Sequence, residues 1–111
     1  MSTRATIKFQ DRDEVYFVYR GHDGFPEIVL DDIRSTIERA RGRWSYGEAG
    51  QLLSLFFVMH GDVKTRLQHY EPTTGWHGDE SYRYEVVYSE KDREWKAGTI
   101  QHPEKSGGEA K

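Results

Sequence analysis

The apolar residues of this chain change their spacing twice, and that change constrains the fold more than any other feature. Residues 4–10 alternate strictly, with Ala5, Ile7 and Phe9 on one side, which is the period of a half-buried strand. Asp11-Arg12-Asp13 supplies turn residues, and residues 14–20 are β-branched or aromatic on both faces. The pair predicts a hairpin whose second strand is covered on both sides. From Pro26 the spacing becomes helical: Leu30, Ile33, Ile37 and Ala40 share a stripe, Pro26 suits the first turn, and Gly42 stops the helix.

Ser45-Tyr46-Gly47-Glu48 has the form of a capping box. It precedes a second helical stretch with Ala49, Leu52, Leu53, Phe56 and His60 on one face and Gly61 at the end. Phe57 and Val58 widen that face, which predicts the most buried element of the chain. Residues 52–59 also fit a buried strand, and the capping box favours helix. Alternation then returns. Residues 63–71 alternate weakly up to Pro72, residues 73–80 read as a long loop, and residues 81–89 and 94–100 predict a hairpin around Glu90-Lys91-Asp92-Arg93.

The resulting order is β-β-α-α-β-β-β. Strands grouped apart from helices predict an α+β domain, an antiparallel sheet of about five strands with two helices on one face. No linker divides the chain, so residues 1–100 read as a single domain and the polar, glycine-rich residues 101–111 as a mobile tail. An open sheet leaves edges that a second copy could pair, which would give a homodimer.

The chain has no cysteine, which excludes disulfides and thiolate metal sites and fits a reducing compartment. No apolar run is long enough for a membrane span and no signal-peptide core is present, so the expected location is the cytoplasm. A formal net charge of −3 argues against non-specific DNA binding.

Residues able to carry chemistry do not form a known pattern. The five histidines lack metal-ligand spacing, so neither a metal nor another cofactor is expected. There is no nucleophile elbow, and Asp31 and Asp32 point about 100° apart on a helix, so no catalytic residue is assigned.

Two binding constellations remain. One joins His22 and Gly24, in a glycine-bearing loop before a helix N-terminus that also reads as a plain hairpin-to-helix turn capped by Asp23 or Gly24, with Arg34, Arg39, Arg41 and Trp44. Amides at a helix start hold anions, and arginine beside an aromatic grips phosphate and stacks on bases, so the ligand would be a nucleotide. The same arginines would also complement a helix C-terminus, with Trp44 plugging the core. The other constellation would face a protein. Trp76, beside His77 in a loop, is either an exposed anchor or a tryptophan folded back on the core, and Asp11, Asp13, Glu14, Asp31 and Asp32 could form an acidic face that enters a basic nucleic-acid groove.

One further pattern is present. Thr3-Arg4-Ala5-Thr6-Ile7-Lys8-Phe9, Val18-Tyr19-Arg20, Asp23-Gly24-Phe25-Pro26 and the later Glu80-Ser81-Tyr82-Arg83-Tyr84-Glu85-Val86 resemble a family of small uncharacterised proteins encoded by phages, prophages and bacteria. The likeness covers about the first thirty residues and one later strand, with Phe25 where the family usually has tyrosine. It carries no activity and no functional residue across. What it implies is context: an accessory protein in the host cell cytoplasm that binds host machinery. The expected function is therefore a non-enzymatic inhibitor of a host defence protein, similar in manner to anti-CRISPR proteins. A protein that sequesters a nucleotide signal is the alternative, and a small enzyme the second alternative.

Overall fold

The computed structural model describes residues 3–62 and 67–100. The weak strand expected at 63–71 is thus described only from residue 67, and the mobile tail expected at 101–111 lies outside the described residues.

The first hairpin forms as its alternation dictates. β1 (Ala5–Gln10) pairs antiparallel with β2 (Val15–Arg20), with Ile7 opposite Val18 and Phe9 opposite Tyr16. α1 (Pro26–Ala40) begins with proline at its first position, where the missing N–H costs nothing, and buries Val29, Ile33, Ile37 and Ala40. Residues 52–59 lie in α2 (Ala49–His60), so the helical reading of that run is the one the chain adopts. A small ribbon follows, β3 (Gly61–Asp62) with β4 (Leu67–Gln68), then β5 (Glu71–Thr73), β6 (Tyr82–Ser89) and β7 (Glu94–Ile100).

The main sheet has five strands in the order β5-β2-β1-β6-β7. It is mixed, where a purely antiparallel sheet was expected, because β1 and β6 run parallel, Ile7 beside Tyr84 and Phe9 beside Val86. The cause is the return path. β5 lies outside β2 and antiparallel to it, hence in the direction of β1. Residues 74–81 then carry the chain back across β2 and β1, and β6 starts beside Ala5 in that same direction. Pro72, expected to end a strand, sits inside β5 opposite Val18. An edge strand tolerates the missing donor.

Ala5, Ile7, Phe9, Val18, Tyr84, Val86 and Trp95 form the inner face of the sheet and pack with α1 and α2 into one core. The Phe9 and Phe56 rings meet edge to face at 5.3 Å between centroids. β2 is covered on both sides, as its composition suggested: α2 packs against it, and Trp76 and His77 lie on Phe17 and Tyr19 of the opposite face.

The capping box does not form. α2 starts at Ala49, Glu48 is its N-cap with no side-chain bond, and the cap comes from Asp11 in the β1–β2 turn. Nor is α2 the most buried element, since Val58 is 76% exposed.

Candidate functional site

The motif Asp23-Gly24-Phe25-Pro26 is a joint between β1 and α1. Gly24 donates its N–H to the Thr3 carbonyl at 2.8 Å, and its own carbonyl accepts the buried Tyr84 hydroxyl at 2.7 Å. A Cβ at position 24 would stand 2.7 Å from Ala5 Cβ, so only glycine fits. Asp23 adopts a left-handed conformation, φ 52°, that aspartate tolerates better than most residues. His22 is exposed, and its carbonyl accepts Arg20 Nε at 2.7 Å. The loop is occupied with holding the helix start.

Between the helices lies a polar cluster that spacing alone does not reveal. Asp32 is its centre. Its Oδ2 accepts the Tyr70 hydroxyl at 2.6 Å and lies 3.8 Å from Arg20, whose guanidinium sits 4.9 Å over the Tyr70 ring. His60 turns both nitrogens to Asp32, Nδ1 3.5 Å from Oδ1 and Nε2 3.0 Å from the carbonyl. Thr36 Oγ1 is 3.0 Å from that Nε2 and donates to the Asp32 carbonyl at 2.8 Å. Hydroxyl, imidazole and carboxylate thus meet, but Thr36 is fully buried and its proton is committed to a backbone carbonyl. The arrangement clamps α1 to α2 and β2. Burial, reinforced by the Asp32 carboxylate, pushes the Tyr70 phenol well above its ordinary range.

A second polar cluster pins the crossing loop. Glu80 is buried, accepts the Thr6 hydroxyl, and takes the amides of His77 and Gly78 at 2.9 and 2.8 Å. Burial opposes its charge, yet these donors outweigh burial and hold the carboxyl down at about 2. Trp76 is half-buried, 5.2 Å from the Phe17 ring and beneath the Arg83 guanidinium at 4.7 Å, so it covers the outer sheet face instead of projecting as an anchor. His77 stacks on Tyr19 at 3.6 Å.

The predicted carboxylates do not form one face. Asp11 is spent on Ala49 and on the amides of Asp13 and Glu14. Asp13 and Glu14 are exposed at the far end of the first hairpin. Asp31 is exposed and Asp32 clamped in the first half of α1, which starts beside Thr3 at the other end.

The anion candidates are also divided. His22 and Gly24 sit at the start of α1, and Arg39, Arg41 and Trp44 at or beyond its end, about 22 Å away at 1.5 Å per residue. Arg41 binds Glu94, which also accepts the Tyr46 hydroxyl. Those two donors hold the Glu94 carboxyl at about 2; burial and then Glu94 raise the Tyr46 phenol to about 12. Arg34 and Arg41 share a groove between α1 and β7, without Arg39 or Trp44 in its lining. Among the described residues no group of three or more histidines and carboxylates could hold a metal ion, and no helix is long and apolar enough to cross a membrane.

What the sequence reading missed is the outer side of α2. α1 presents Glu27, Asp31, Arg34, Glu38 and Arg39 to solvent. α2, in the same layer, carries no Asp, Glu, Lys or Arg and exposes Gln51, Ser54 and Val58, with Leu55 half-buried between them. Arg43 and Ser45 line a small notch with Gln51 and Leu55, which sets the 41–48 connection against the N-terminal half of α2. On that connection Trp44 stands 92% exposed and plugs no core. The signal available in advance was the absence of charge from a helix with only one side to bury.

Comparison of the chain with protein-family models, with curated proteins and with solved structures found no match.

Proposed function

We propose that this chain acts by binding a partner protein, as a phage- or prophage-type inhibitor of a host defence protein in the manner of anti-CRISPR proteins. The observation that carries the reading is the charge-free outer side of α2, with Val58 76% exposed and Trp44 92% exposed on the adjoining connection. Water-facing helices normally carry charge on that side, and large apolar side chains left in water there favour an interaction site. Tryptophan is the residue most enriched among those that dominate binding energy. Arg43, next to Trp44 in the chain, and Arg39, in the last turn of α1, are exposed and without an ion-pair partner among the described residues. A partner surface that fits would hold an apolar groove edged by carboxylates. The resemblance of residues 3–9 and 23–26 to phage and prophage proteins suggests the biological setting.

The test uses a tagged chain and two surface variants, Trp44→Ala and Val58→Asp, whose thermal melting should match the parent. Expression in a bacterium with an active defence system should raise the plating efficiency of a targeted phage. Capture from that host should retain one stoichiometric defence component, and both effects should be lost in the variants. Unchanged plating across the defence systems tried, or a partner held equally by parent and variants, would sink the proposal.

A further inference from the structure

We infer that α1 docks antiparallel on α1 of a second copy of this chain, in a two-fold dimer centred on Ser35. The contact shares Val58 with the face proposed above and rests on that reading in one respect, that this side of the helix layer is a binding surface.

Glu27, Asp31, Ser35 and Arg39 follow one another at intervals of four, so they form a single ridge along α1. Glu27, Asp31 and Arg39 are exposed, and none of the three has an ion-pair partner among the described residues. Ser35 is uncharged and gives its hydroxyl to the Asp32 carbonyl at 3.0 Å. The ridge therefore reads negative, negative, neutral, positive. Arg43, also exposed and without such a partner, follows four residues later, just beyond the helix. The other charges of the helix layer are engaged or lie off the ridge. Asp32 faces Arg20 and His60, Glu38 pairs with Arg41, and Arg41 also binds Glu94. Arg34 lines the groove on the β7 side. Glu48, at the start of α2, is exposed and offsets part of the positive end.

Within one copy this order is unfavourable. Like charges four apart repel, which sets Glu27 against Asp31, and Asp31 has a serine where a basic residue would have relieved it. The helix dipole favours acid in the first turn and base in the last, but its effect fades before Asp31. The complement of the ridge is the same ridge reversed. Run antiparallel about Ser35, two copies place Asp31 of each opposite Arg39 of the other, and Glu27 toward Arg43. A parallel arrangement would set like charge on like. His60 Nε2 lies 3.0 Å from Thr36 Oγ1, which puts the end of α2 beside the middle of α1. Val58, 76% exposed, therefore stands near the level of Ser35 and close to the two-fold axis, where it meets Val58 of the second copy. That contact supplies apolar burial, and the charges set orientation and register. Exposed ion pairs are individually weak and the interface is small, so the dissociation constant is on the order of 100 micromolar.

Sedimentation velocity of the full-length chain, from micromolar to millimolar concentration, tests this. The parent should pass from monomer to dimer. Asp31→Arg alone and Arg39→Asp alone should each weaken the dimer about tenfold or more, because each sets like charges opposite one another. Mixed in equal amounts, the two variants should recover it as a heterodimer, since each altered position then faces its opposite charge. Circular dichroism at low concentration should show both variants folded as the parent is. A parent that stays monomeric at millimolar concentration, single variants that dimerise as the parent does, or a mixture no stronger than either variant alone would each overturn the proposal. Asp31→Arg keeps Trp44, Val58, Arg39 and Arg43. A monomeric parent would thus remove the dimer and leave capture of a defence component standing, and failed phage protection would do the reverse.

Discussion

Asp11 Oδ2 accepts the backbone N–H of Ala49 at 2.6 Å, so a side chain in the first β-turn caps a helix thirty-eight residues later. The other oxygen, Oδ1, holds the amides of Asp13 and Glu14 at 2.8 Å each, closing its own turn. These bonds outweigh burial and keep the carboxyl ionised below its ordinary range. One residue thus ties the hairpin to the helix layer.

Asp11→Ala should therefore cost more than an ordinary cap. Loss of a helix cap costs about 1 kcal/mol, and the freed turn amides add to it, giving about 2 kcal/mol in all. Asp11→Asn keeps an acceptor oxygen and should recover much of the loss. Urea unfolding of the three proteins checks this, and an alanine variant as stable as the parent would remove Asp11 from the role.

Gly24 makes a sharper demand. Its missing side chain lets α1 start against β1, with Ala5 Cβ 2.7 Å and backbone atoms of Arg4 and Ala5 3.1 Å from where a Cβ would be. Gly24→Ala should cost about 1–3 kcal/mol by overpacking. Adding Ala5→Gly relieves the closest contact but not the backbone ones, so the double variant should recover only part of the loss. Full tolerance of alanine would mean the joint is looser than its geometry.

Local signals of this kind were readable in advance, and long-range ones were not. Alternation at Ala5, Ile7 and Phe9 marked β1, and Pro26 marked the start of α1, because each depends on near neighbours. The parallel pairing of β1 with β6 depends on where residues 74–81 lie, and that path is held by Glu80 reaching Thr6, seventy-four residues away. The Ser45–Glu48 box was persuasive as a sequence, yet Asp11 reaches Ala49 first in space. Phe57 and Val58 widen the apolar face of α2 and point to deep burial, yet sequence does not say how many layers a domain has, and Val58 faces water. Asp31 and Asp32 looked alike, and only the tertiary arrangement exposes the first and clamps the second between Arg20, His60 and Tyr70.

The Asp32 cluster should respond to single deletions as a network does. Tyr70→Phe removes the 2.6 Å donor and leaves an acceptor on Asp32 less satisfied, at a cost of about 1–3 kcal/mol. The ring stays, so its edge contact with Phe56 at 4.5 Å is kept. Denaturant midpoints for Tyr70→Phe, Asp32→Asn and the double variant form a cycle. The double variant should cost less than the sum, because the interaction is lost only once. Strict additivity would mean that the two groups act independently.

Glu80 predicts how the fold meets acid. Its carboxyl sits at about 2 in the folded chain against an ordinary 4.5, so folding favours the ionised form. The stabilisation is complete above the unfolded value and is lost as pH falls from near 4.5 toward 2, where both states become protonated. Its size is on the order of 3 kcal/mol. Glu94 titrates in the same direction and window, but it is partly exposed and solvent weakens its share. Glu80→Gln should therefore lower stability at pH 7 and flatten the acid limb, while Glu94→Gln changes that limb less. Hydrogen exchange at His77 and Gly78, whose amides bond to Glu80, should quicken in the Glu80 variant before the sheet itself opens. If the parent and Glu80→Gln lose stability with the same slope between pH 5 and pH 2, Glu80 is not what holds the crossing loop across β2 and β1.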